Sequence, residues 1–141
     1  MENSHFDTIV EKIVERDSRY CKEAYAFVEK SVTYTVKKCN KVHNPKGERH
    51  VTGSELVEGF CEYALLQFGP LAGEVLENWG VRSGPDVGNI VYNMIGMKIL
   101  SASSEDSQSD FDCCFDLLAH VEELLEKSLK LSGNTDIPVI E

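Results

Sequence analysis

Apolar residues recur at three- and four-residue intervals through most of this chain, and short polar or glycine-proline breaks separate the runs. That rhythm predicts helices. Phe6, Ile9, Val10, Ile13 and Val14 fall on one face of a first helix that residues Ser4 to Asp7 can cap. Asp17-Ser18 interrupts the pattern and predicts the cap of a second helix, with Cys21, Ala24, Tyr25, Val28, Val32, Val36 and Cys39 on its face. Inside it, SVTYTV (Ser31 to Val36) alternates and is β-branched, so it also fits a strand. The 3.6-residue pattern on both sides favours helix.

The stretch from Val51 to Leu100 organises the rest. Thr52-Gly53-Ser54-Glu55 fits a capping box, followed by Val57, Phe60, Cys61, Ala64, Leu65 and Phe68 at helical spacing. Gly69-Pro70 ends that helix, and Pro70 suits the first turn of another, which carries Leu71, Val75, Leu76 and Trp79. Gly80 stops it, with Val81 placed to fold back over the last turn. Ser83-Gly84-Pro85-Asp86 opens a third helix, with Val87, Ile90, Val91, Met94 and Ile95 on its inner side. Trp79, Phe60, Phe68, Leu76, Ile90 and Val91 are expected in one core. After the polar segment Ser101 to Asp110, a last helix carries Phe111, Cys114, Phe115, Leu118, Val121, Leu125 and Leu129, and Ser132-Gly133-Asn134 stops it.

The expectation is an all-α protein: one compact domain of about six helices over residues 1–133, with a helix-turn-helix-like centre and a short mobile tail at 134–141. At 141 residues, one core is large enough to hold such a domain together. No apolar run approaches the roughly 20 residues of a membrane span, so no membrane partner is expected. The opening MENSHFDTIVEKIVERD is charged throughout and lacks a signal core. Five cysteines (Cys21, Cys39, Cys61, Cys113, Cys114) without framework spacing read as reduced thiols. Both features point to the cytoplasm.

The net charge of −10 works against nonspecific nucleic-acid binding. It is concentrated after Ser101, where only Lys127 and Lys130 oppose ten acids, so the remainder is nearly balanced. The basic residues that do cluster are Lys37, Lys38, Lys41, Lys46 and Arg49, with His43 and His50 among them. This loop is expected to be drawn to the acidic surface of the last helix, in the same molecule or in a neighbour.

Two phrases carry a resemblance: Arg49 to Leu56 followed by Tyr63 to Ala72, and Val75 to Val81 with Asp86 to Asn93. Together they resemble a family of small bacterial conserved hypothetical proteins, the Minf type of planctomycetes and verrucomicrobia. The resemblance covers about Tyr20 to Phe115 and implies no activity, cofactor or catalytic residue. The chain departs from the pattern after Asn93, where a Glu is common and Ile95-Gly96-Met97 follows here.

Chemistry-bearing patterns are sparse. No nucleophile elbow, phosphate-binding glycine loop or metalloprotease histidine pair is present. Cys113 or Cys114 lies about two helical turns from His120, too far along one helix to form a nucleophile–base pair. Cys39, His43 and His50 have ligand types that suit zinc but no second paired set. The acids Glu105, Asp106, Asp110 and Asp112 lack the glycine and terminal Glu of a calcium loop. No cofactor, metal or catalytic residue is therefore expected.

The leading expectation is a non-enzymatic interaction module that self-associates or docks a partner protein, with Tyr20, Tyr25, Tyr34, Tyr63 and Tyr92 as contact area if exposed. The alternative is a nucleic-acid-associated regulator using the 70–100 helix pair and the 37–50 basic loop. Candidate binding residues are Lys37, Lys38, Lys41, His43, Arg49, His50, Arg82, Asp86 and Asn93. An unfamiliar enzyme would instead gather His50, Glu55, Arg82, Asp86 or Asn93 in one pocket.

Overall fold

The computed structural model describes residues 2–39, 51–100, 108–113 and 116–136. Among these, every regular element is helical: α1 (Glu2–Arg16), α2 (Lys22–Lys38), α3 (Gly53–Phe68), α4 (Ala72–Trp79), α5 (Gly84–Gly96) and α6 (Leu117–Asp136). Short 3-10 turns occupy Gly69–Leu71 and Gln108–Cys113. No helix of the described residues is long and apolar enough to cross a membrane.

The punctuation in the centre works as its chemistry dictates. Thr52 with Glu55, and Ser83 with Asp86, each form a complete capping box. Gly80 ends α4 at φ 83°, and the Val81 amide returns to the Leu76 carbonyl at 2.9 Å. A side chain at Gly80 would be strained by that φ, and its Cβ would stand 2.5 Å from the Arg19 carbonyl oxygen. The turn between α4 and α5 therefore lies directly on the turn between α1 and α2.

Residues Ser31 to Val36 are helical, and the reason lies in their hydroxyls. Ser31 Oγ donates to the Phe27 carbonyl at 2.8 Å, and Thr35 Oγ1 to the Ser31 carbonyl at 2.7 Å. With their polar groups satisfied one turn back, both residues are fully buried. The expected inner stripe through Val32 and Val36 is thus rotated: those two are half-buried, and Ser31 and Thr35 face α3. A Cβ at Gly59 would sit 2.0 Å from Thr35 Oγ1, so small residues on both sides let α2 and α3 approach closely.

α2 and α3 form the centre, α5 and α1 pack against α2, and α6 packs across α3 and α4. Phe60, Leu76, Ile90 and Val91 lie in the core as expected, but Phe68 and Trp79 are only partly buried at its margin. They belong to an aromatic cluster around Phe27, whose ring centroid is 5.2 Å from Trp79, 5.4 Å from Phe68 and 5.5 Å from Phe60.

Three expected boundaries move. Asp17 does not cap α2: Cys21 holds that position without a side-chain bond, and Asp17 is engaged elsewhere. The last helix starts at Leu117 rather than near Phe111, and it continues past Gly133 to Asp136. The Asp116 carboxylate accepts from the Ala119 amide at 3.0 Å, and the Leu117 amide donates to the Arg82 carbonyl at 2.9 Å. Phe111 belongs to the preceding 3-10 turn, where it packs on the bare backbone of Gly88. Cys114, Phe115 and tail residues 137–141 lie outside the described residues.

Candidate functional site

Two regions compete for the role of functional site. The first contains residues the sequence nominates. Asp86, Asn89 and Asn93 are spaced three and four residues apart, so they share one stripe of α5. That stripe faces the junction of α1 and α2. Tyr20 Oη donates to Asp86 Oδ1 at 2.5 Å and accepts from Asn89 Nδ2 at 2.9 Å. Asn93 Nδ2 donates to Asp17 Oδ2 and to Tyr25 Oη, both at 3.0 Å. Asp17 is gripped in turn by Arg19, with Nε 2.8 Å from Oδ1 and Nη2 2.6 Å from Oδ2.

Electrostatics fixes the protonation of this seam. The Arg19 hydrogen bonds hold the Asp17 carboxyl far below the usual carboxylate range, against the opposing effect of burial. Burial of the Tyr20 phenol pushes it up to about 12. Asp17 stays anionic and Tyr20 stays protonated across the neutral range, so neither can shuttle a proton there. A cavity of about 200 Å³ beside Asn93 is bounded by Arg16, Asp17, Tyr92 and Met97.

The remaining nominated residues do not converge on this seam. Arg82 is exposed; its backbone amide donates to Asp86 Oδ2 at 2.9 Å. Glu55 serves its capping box and accepts from Cys39 Sγ at 3.5 Å. Lys38 pairs with Glu62 of α3, not with α6, while Lys37 borders a cavity with Glu29, Tyr34 and Tyr63. His120 Nε2 lies 2.9 Å from Glu58 Oε2 and ties α6 to α3. Lys41, His43, Arg49 and His50 lie outside the described residues, and so does the proposed zinc set beyond Cys39. Among the described residues no three His, Cys, Asp or Glu side chains are grouped to hold a metal ion.

The second region went unnoticed in the sequence. Leu66, Leu71 and Leu129 are 68%, 60% and 61% exposed, at the end of α3, the 3-10 turn and α6. α6 buries Leu117 and Val121, and of the other residues on the stripe expected to be internal Leu118 and Leu125 are half-buried and Leu129 is exposed. A helix apolar on a second face has surface left to cover. Leu118, Val121 and Leu125 floor a groove of about 550 Å³ between α6 and α4. A second cavity, of about 360 Å³, opens between α3 and α6 beside Leu65, Leu66 and Leu124. Of the tyrosines expected as contact area if exposed, Tyr20 and Tyr25 are buried, and Tyr34, Tyr63 and Tyr92 are partly buried.

No family model, curated protein or solved structure matches this chain. The site must therefore be argued from its own geometry, and the Minf-type resemblance adds no residue role to it.

Proposed function

We propose that this protein is a non-enzymatic, cytoplasmic interaction module that docks a partner protein through the leucine-bearing surface of α3, the Gly69–Leu71 turn and α6. The observation that carries this reading is that Leu66, Leu71 and Leu129 stay more than half exposed while Leu118 and Leu125 of α6 are only half-buried. Three leucines more than half exposed on neighbouring elements are costly to keep in water unless something covers them. Among the described residues, the polar stripe of α5 is engaged within the fold. Asp86, Asn89 and Asn93, which a recognition helix would offer to bases, are bonded to Tyr20, Asp17 and Tyr25.

Site-specific photo-crosslinking in cells tests this reading. A photoreactive residue at Leu129 or Leu71 is expected to give a discrete protein adduct, and the same residue at exposed Glu15 is expected to give none. Absence of an adduct at both leucines, or identical adducts at all three positions, overturns the docking reading.

A further inference from the structure

We infer that the occupant of the groove between α4 and α6 is a cationic amphipathic helix of a partner protein; this rests on the docking reading above. The groove has an apolar floor of Leu118, Val121 and Leu125 and an acidic rim of Glu74, Glu77, Asp116 and Glu122. Glu74 and Glu77 stand one turn apart on α4, opposite Glu122 on α6. Glu74, Glu77 and Glu122 form no ion pair among the described residues. The nearby cation of α6, Lys127, is half a turn round the helix from Leu118, on the opposite side. Carboxylates line both walls of the groove, and no cation is among the described residues that line it.

The shape fits a helix. Leu118 and Leu125 are two turns apart, about 10 Å along the axis, and Leu129 adds another turn. An amphipathic partner with apolar residues at that repeat would fill the floor and place its flanking Lys or Arg against both walls. Gly73 keeps the α4 wall low, and a Cβ built there meets nothing within 4 Å. A second copy is the weaker fit, because a self-complementary contact through this face would set Glu74, Glu77 and Glu122 against themselves. At the end of α2, Lys38 is already paired with Glu62, which leaves exposed Lys37 as a small counter-charge against three glutamates.

The test is fluorescence anisotropy with the full-length protein and three labelled 18-residue peptides: a Leu/Lys amphipathic helix, its scrambled sequence, and a Leu/Glu amphipathic helix. Binding of the Leu/Lys helix alone is expected, weakening at least about tenfold between low and high salt. Glu74→Lys with Glu77→Lys should weaken it by about tenfold or more. Glu15→Lys with Glu23→Lys, which changes net charge equally on α1 and α2, should change it less than about twofold. Gly73→Tyr, at a position with open space, should keep the thermal midpoint and abolish binding. Equal binding of the scrambled peptide, or equal loss in the α1/α2 control, overturns the inference by showing attraction to net charge alone. Preference for the Leu/Glu helix overturns the cationic assignment and leaves the docking reading intact. If no peptide binds and the protein is a dimer that Leu129→Lys dissociates, the occupant is a second copy and only this inference fails. A monomer that binds no peptide and gives no crosslink removes both.

Discussion

The α5 seam and the α6 surface were both built from residues that a one-dimensional reading assigns to the other role. Asp86, Asn89 and Asn93 are polar and read as outward; the fold turns them inward onto Tyr20, Asp17 and Tyr25. Leu118, Leu125 and Leu129 are apolar and read as inward; the fold leaves Leu129 exposed and the other two half-buried. The difference teaches that polarity alone does not locate function. A polar group with every partner supplied is structural, and an apolar stripe with no partner is the unfinished surface.

The comparison breaks first at Asp86. Its carboxylate caps α5 and accepts from Tyr20. Asp86→Ala is expected to destabilise by about 2–4 kcal/mol, from a lost cap and a stranded buried hydroxyl. Urea unfolding measures it; a cost within error of zero would mean that the seam is not structural. Gly80→Ala is next, at about 2 kcal/mol, because it adds a positive-φ penalty to a clash with the Arg19 carbonyl. Thermal melts of Gly80→Ala beside Gly73→Ala separate this from a general effect of replacing glycine.

Tyr20→Phe should cost about 1 kcal/mol and also change the alkaline limb of stability. The Tyr20 phenol is raised from 10.0 to about 12, so its stabilisation is complete below pH 10 and is lost as pH climbs through 12. Denaturant midpoints across that window should fall for the native protein and flatten for Tyr20→Phe. At the acid end, Asp17 is held low by Arg19, so its contribution is present above the ordinary carboxylate range and fades as pH drops below it. Asp17→Asn should flatten that acid limb, by a smaller amount because Arg19 is largely exposed. Smallest in stability is the other region. Leu66→Lys and Leu129→Lys should each shift unfolding by less than about 0.5 kcal/mol while removing the crosslinked adduct. Lost stability there, with the adduct kept, would reverse the assignments of the two regions.

Much of the fold was legible because its signals are local. Thr52 and Ser83 with their acids three residues on, and Gly80 before Val81, act through bonds that close within one turn. The rotation of α2 was not legible, since burying Ser31 and Thr35 depends on their bonds one turn back and on Gly59 across the helix pair. The start of α6 was misplaced for a related reason. Phe111 to Leu129 reads as one helical stripe, but α6 begins at Leu117, whose amide bonds the Arg82 carbonyl, so Leu117 is fully buried and Leu118 only half-buried. Asp17 shows the same limit in a polar residue: a cap by pattern, it is claimed by Arg19 two residues on and by Asn93 of α5. The candidate site therefore had no sequence signature beyond two leucine stripes on one helix, of which only one could be internal.

The Arg82 carbonyl that receives the Leu117 amide also has mechanical meaning. It belongs to the short turn that carries Gly80 against Arg19 and leads into Asp86 against Tyr20. A load that a bound helix applied to α6 would reach this braced turn through the Leu117 amide and would reach α3 through His120 and Glu58, so the first turns of α6 are anchored from two sides.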